Sequence, residues 1–184
     1  MTKKRDTKRL AGSPAFRIAS LAILTAVTTV FTYIVRIPIA PTRGYLNLGD
    51  VFIYFTAFTF GPVSALIAGG LGTALADLIA GYPQWVPISL LVHGLQGLVA
   101  GLIAGLTWRG RQKTFNYTWL FAALGGALVM CGGYLAGGTL LVGFGAALTE
   151  LPGNLLQNVA GVIGAIPLTI AVRQAYPPVA QLRW

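Results

Sequence analysis

Charge is what this sequence has least of. Only 9% of its 184 residues are Asp, Glu, Lys or Arg, against 55% hydrophobic, where a soluble domain carries about 25% charged residues. Water cannot wet such a surface all round, so an ordinary soluble domain is excluded and lipid must cover much of the outside. Acids are scarcest: Asp6, Asp50, Asp77 and Glu150 are all there are. The single cysteine, Cys131, lies in an apolar run. It rules out an intrachain disulfide and a multi-thiolate metal site, and reads as a small packed hydrophobe. The single histidine, His93, rules out a multi-histidine metal centre, so no metal site is expected. No Walker A, HExxH or GxSxG sequence occurs, so the chain has no signature for hydrolysing nucleotide, or for metalloprotease or serine-hydrolase chemistry. No catalytic residue is assigned.

The net charge of +9 does not point to nucleic acid, which needs a continuous basic face. The basic residues here sit in short segments between apolar runs. Lys3, Lys4, Arg5, Lys8, Arg9 and Arg17 precede or open the first run, Arg109, Arg111 and Lys113 lie between later ones, and Arg173 and Arg183 close the chain. With the N-terminus in the cytoplasm and six crossings, all of these fall inside, and only Arg36 and Arg43 fall outside. That is the bias the positive-inside rule describes.

What the sequence has in quantity is apolar length. The run from Phe16 to Val35 has the ~20 residues a bilayer crossing needs and is stopped by Pro38 and Pro41. It is longer than the apolar stretch of a signal peptide and lacks a small-x-small cleavage pattern, so it reads as a retained first span. Ile37 to Leu48 is expected to be a loop with an Arg43-Gly44 turn. A short second span runs from Gly49 to Phe60, the third from Val63 to Ala80 and the fourth from Trp85 to Trp108. The fifth runs from Trp119 to Leu141. A glycine-rich connection, Gly143 to Leu151, leads to the sixth, Pro152 to Arg173. The expectation is an all-α membrane protein of six transmembrane helices with both termini cytoplasmic: a basic tail over 1–15, the bundle over 16–173 and a second tail over 174–184. Trp85, Trp108 and Trp119 fall at span ends, where interfacial anchors belong.

Ionisable and amide side chains are costly in lipid and face the bundle interior or water. Asp50, Asp77 and Glu150 all fall near the outer ends of spans. His93 and Gln96 lie about 12 and 16 Å below the outer end of the fourth span, at ~1.5 Å per residue. Glu150, Asn154 and Asn158 recur every four residues and share one helix face, with Gln157 beside them. Tyr45, Asn47, Tyr82, Gln84 and Trp85 lie in the outer loops. These groups converge on a pocket open to the outside, the pattern of a small-molecule site. Structural roles stay open beside that reading. Asp50 complements a helix N-terminus, Asp77 has Arg36 or Arg43 as ion-pair partners, and the amides of the spans can bond between helices.

Small residues make a second pattern. Ala15, Ala19, Ala22 and Ala26 form a narrow stripe on the first span, fit for close helix contact inside the bundle or with another protein. Gly97, Gly101 and Gly105 on the fourth span, and the glycine pairs of the fifth, read as tight packing within the bundle.

Several stretches together resemble the substrate-binding S components of energy-coupling factor (ECF) vitamin transporters. They are Tyr45-Leu46-Asn47-Leu48-Gly49-Asp50, Phe60-Gly61-Pro62, Ala74-Leu75-Ala76-Asp77-Leu78, His93-Gly94-Leu95-Gln96-Gly97, and Glu150-Leu151-Pro152-Gly153-Asn154-Leu155-Leu156-Gln157. Relatives often have lysine where His93 stands. The resemblance implies a six-helix fold and an outward-facing site for a small vitamin or precursor, pyridoxine-like or hydroxymethylpyrimidine. That site would use Tyr45, Asn47, Asp77, Tyr82, Trp85, His93, Gln96, Glu150, Asn154, Gln157 and Asn158. It implies docking on a membrane coupling protein (the T component) through Ala22-Ile23-Leu24-Thr25-Ala26 in the alanine stripe. It also implies that two ATPase subunits use ATP while this chain binds no cofactor. Two other functions remain possible on the residues alone: a stand-alone channel or facilitator, or a membrane enzyme using Asp77 or Glu150.

Overall fold

The computed structural model describes residues 13–107 and 114–184. Lys3, Lys4, Arg5, Lys8, Arg9, Trp108, Arg109, Arg111 and Lys113 lie outside the described residues. Six α-helices are present among those described: α1 Pro14–Ile34, α2 Gly49–Phe60, α3 Pro62–Ala80, α4 Val86–Gly105, α5 Thr118–Val142 and α6 Phe144–Ala175. A hairpin of β1 Ile37–Ile39 and β2 Gly44–Leu46 joins α1 to α2, and a 3₁₀ turn, Pro177–Gln181, follows α6. Every helix except α2 is long and apolar enough to cross a bilayer. At 12 residues, α2 reaches only about 18 Å.

Local sequence sets the boundaries. Ser13 caps α1, its hydroxyl accepting from the Phe16 N–H at 3.2 Å, with Pro14 in the first helical position, where its missing N–H costs nothing. Gly61, at φ 94°, breaks α2 from α3, a conformation that glycine adopts freely. A Cβ there would also lie 2.3 Å from the Trp184 carbonyl oxygen.

The short α2 is the hub. It packs against α1, α3, α4 and α6 and is buried along most of its length. The α3/α4 seam is close because Gly97 and Gly101 leave no room for a Cβ against the backbones of Ala65 and Pro62, so the glycine series of the fourth span is intrabundle packing. The alanine stripe differs: Ala15, Ala19, Ala22 and Ala26 are all exposed, while Leu24, Thr28 and Thr32 form the buried face of α1.

The end of α2 nearer the C-terminus is finished by arginines rather than water. Arg173 Nη2 donates to the Phe58 carbonyl at 2.6 Å. Arg183 donates to Ala57, Phe58 and Gly101 carbonyls at 3.2, 3.2 and 2.6 Å, and the Trp184 N–H to Phe60 O at 2.8 Å. Burial draws the Arg183 guanidinium down to about 10, so it is still a cation at neutral pH. Val179 and Leu182 pack on Phe16, Phe60 and Val172, and Arg17 lies over the Trp184 ring at 5.3 Å. The start of α1 and the end of the chain thus meet at one end of the bundle, here called the tail end; the hairpin marks the other.

Three expectations are corrected. The loop over Ile37 to Leu48 contains the hairpin, its turn made by Arg43 at φ 52°. The connection over Gly143 to Leu151 is helix from Phe144 onward. Gly143, at φ 87°, makes the whole turn, and Pro152 removes only the one bond to the carbonyl four residues before it, which a 32-residue helix tolerates. Trp85 and Trp119, placed at the lipid interface by sequence position, are buried, at 3% and 0% exposure. Trp119 stacks on Phe58 at 5.3 Å under the Arg173 guanidinium, and Trp85 turns towards Tyr134.

Candidate binding site at the hairpin end

The ends of α1, α3 and α5 and the starts of α2, α4 and α6 meet at the hairpin end. Helical spacing lines up their polar residues: Thr73 and Asp77 on α3, Ser89 and His93 on α4, Met130 and Tyr134 on α5, Glu150, Asn154 and Gln157 on α6. With Thr32, Gly44, Tyr45, Asn47 and Trp85 they line one cavity. It offers about 30 Å³, space for about two waters.

Beneath the cavity lies a continuous buried network. Asp50 Oδ1 is 3.4 Å from His93 Nδ1, and Gln157 Nε2 donates to Asp50 Oδ2 at 3.3 Å. His93 Nδ1 is 2.7 Å from Gln96 Oε1. Gln96 Nε2 donates to Asn158 Oδ1 at 3.0 Å, which leaves Gln96 Oε1 as an acceptor and puts the proton on His93 Nδ1. Tyr54 donates to the same Asn158 oxygen at 2.6 Å. Low polarity around such a network makes each satisfied bond worth more and each missing partner costlier.

The hairpin is the cavity's cover. Tyr45 donates to Asp77 Oδ1 at 2.6 Å, and Tyr82 packs on its ring at 5.0 Å. Burial, with Asp77 adding to it, pushes the Tyr45 phenol well above its usual range, so it remains a donor. The Thr42 hydroxyl donates to Glu150 Oε1. Gly44 permits that approach, since a Cβ there would lie 2.6 Å from the same oxygen. The Asn47 N–H donates to Gln157 Oε1 at 2.9 Å, and Asn47 Oδ1 accepts from the Gly49 N–H at 2.8 Å, opening α2.

Of the residues singled out in the sequence, Tyr45, Asn47, Asp77, Trp85, His93, Glu150, Asn154 and Gln157 line the cavity. Gln96 and Asn158 lie below it as bonds between helices, and Tyr82 stands outside against Tyr45. Asp77 is held by Tyr45 rather than by Arg36 or Arg43; Arg36 lies over the Tyr33 ring at 4.3 Å. Asp50, left between helix-dipole and site roles, is fully buried behind His93. Thr32, Thr73, Ser89, Met130 and Tyr134 were missed. Thr73 and Ser89 were findable, each one turn before an acid or histidine already named. Tyr134, bonded to Ser89 at 2.6 Å, carries no comparable signal in the sequence.

A family model for the S component of ECF-type riboflavin transporters matches residues 15–174. The chain belongs to this family. Among its relatives, a thiamine precursor transporter of Lactococcus lactis is 38% identical over 148 residues, covering 80% of this chain and 81% of that protein. An uncharacterised protein of Pyrococcus woesei is 39% identical over 135 residues, 73% of this chain and 86% of that one. The S component is thus a multi-pass membrane transport protein and not an enzyme, which removes the reading of Asp77 or Glu150 as a catalytic acid–base group.

Proposed function

We propose that this S component binds a small vitamin or vitamin precursor in the hairpin-end cavity, from the outer side of the membrane, and passes it inward with a membrane coupling protein driven by two partner ATPases. The observation that carries the reading is the convergence of polar side chains from the hairpin and the helices on one cavity at one end of an otherwise apolar bundle. The exposed Ala15, Ala19, Ala22 and Ala26 stripe supports docking on the coupling protein, because small side chains let two helix backbones approach closely.

The family description names riboflavin and the Lactococcus lactis relative a thiamine precursor. A single-ring ligand, pyridoxine-like or hydroxymethylpyrimidine, suits the cavity better than a fused tricycle. A heterocycle needs more than the 30 Å³ present, and drug-sized ligands occupy roughly ten times that, so binding must spread the site, and a smaller guest spreads it less. Asn154, Gln157 and Asn47 then supply hydrogen bonds, and Trp85 and Tyr134 supply ring faces. The test is thermal unfolding of the detergent-purified protein against pyridoxine, pyridoxal, hydroxymethylpyrimidine, thiamine, riboflavin, biotin, folate, pantothenate, niacin and cobalamin. A ligand at 100 times its dissociation constant stabilises by about 2.7 kcal/mol. One clear single-ring hit is expected; a folded protein that no member of the panel stabilises contradicts the reading.

A further inference from the structure

Three residues that line the cavity each carry a polar atom with no hydrogen-bond partner: Asp77 Oδ2, Trp85 Nε1 and Thr32 Oγ1. The residues are 4%, 3% and 1% exposed, so water outside the protein does not serve them, and leaving such atoms unpaired is costly. They differ in kind. Asp77 Oδ2 is an acceptor, Trp85 Nε1 can only donate, and Thr32 Oγ1 can do either. Tyr45 bonds the other Asp77 oxygen, and the neighbouring Ser89 hydroxyl is engaged by Tyr134.

The charge of the wall points the same way. Asp77 and Glu150 line it, and among the described residues no Lys or Arg does. Arg36 and Arg43 are exposed, the first over the Tyr33 ring. His93, the one potential cation, has Asp50 at 3.4 Å behind it, which balances any charge it holds. A phosphate or carboxylate on the ligand would meet carboxyl groups and, among the described lining residues, no Lys or Arg to pair with.

Resting on the transport reading above, we propose that the site selects an amino-substituted nitrogen heterocycle without phosphate or carboxylate, whose N–H donates to Asp77 Oδ2 and whose ring nitrogen accepts from Trp85 Nε1.

Isothermal titration on the full-length purified chain tests this with matched ligands: hydroxymethylpyrimidine against its monophosphate, pyridoxamine against pyridoxine and pyridoxal 5′-phosphate, and nicotinamide against nicotinate. The expected result is that the tightest ligand is an amino-bearing ring without an anionic group. Its phosphate is expected to bind at least 100-fold more weakly. Asp77→Asn, which offers an amide N–H in place of one acceptor, lowers affinity for that ring at least 10-fold and narrows the gap to the phosphate. Trp85→Phe keeps a ring and removes the donor; it lowers affinity several-fold and stands as the second variant should Asp77→Asn fail to fold by thermal unfolding. A phosphorylated or carboxylated member binding as tightly as its neutral counterpart overturns the selectivity and leaves the transport reading intact. So does pyridoxine matching pyridoxamine with no effect of either substitution. Binding of no ring at all overturns both.

Discussion

At the tail end of the bundle, Arg173 and Arg183 donate to the carbonyls of Ala57, Phe58 and Gly101, and apolar side chains of the last residues fill the space below the short α2. At the hairpin end, Asp77, Glu150 and His93, with Asp50 behind His93, are also buried, yet the first three line a cavity. Buried polar atoms without a hydrogen-bond partner occur at both ends, Asp77 Oδ2 and Trp85 Nε1 here and Trp119 Nε1 and Trp184 Nε1 at the tail end. Both regions bury charge at a cost. The tail end offsets it with hydrogen bonds to backbone already in place, which completes a helix too short to finish itself in lipid. On the proposed function, the hairpin end holds part of its hydrogen-bonding capacity in reserve for a guest, and stability and binding are lodged in opposite ends of one bundle.

The comparison can be broken in four ways. The largest effect is expected outside both ends: Ala22→Trp or Ala26→Trp should abolish uptake in cells while the purified variant keeps its ligand affinity, and lost affinity in a folded variant counts against the docking role. Next, His93→Leu leaves the buried Asp50 carboxyl without its partner, and an unsatisfied buried polar group costs up to about 3 kcal/mol. Thermal unfolding should show that loss, and the double variant His93→Leu/Asp50→Leu should recover part of it. Arg183→Met should cost about 2 kcal/mol, the worth of a hydrogen bond from a charged donor, with ligand affinity unchanged. The smallest effect is at the hairpin: Thr42→Val removes its tie to Glu150 and should cost about 1 kcal/mol, seen as faster amide exchange over residues 37–46. Unchanged exchange there would mean that Tyr45 and Asn47 alone hold the cover.

Apolar run length and helix-breaking residues were enough to locate all six helices, because a bilayer leaves the backbone few alternatives. Polar clustering was legible for a related reason: in so apolar a chain, Asp77, His93 and Glu150 stand out, and helical spacing carries the eye to Asn154 and Gln157. What was hidden is direction. An aromatic at a span end serves equally at the lipid interface and in the core, so Trp85 and Trp119 read as anchors although both turn inward. Thr32 and Tyr134 look like ordinary span residues until their neighbours are known. Arg183 counted as a tail charge, and nothing local signals that it reaches back to Ala57 and Gly101. The glycine-rich stretch before Pro152 read as a connection because glycine and proline weaken helices in water, a preference the surrounding bundle overrides.

The division between the two ends rests most directly on one paired titration. Asn154 lines the cavity, and among the described residues no hydrogen bond engages its side-chain amide, so Asn154→Leu should leave the unfolding temperature near that of the wild type and reduce affinity for the identified ligand at least 10-fold. Arg183→Met, measured alongside, should do the reverse. If Asn154→Leu binds like the wild type while Arg183→Met loses affinity in proportion to its stability, the hairpin-end cavity is not the binding site and the separation of roles is wrong.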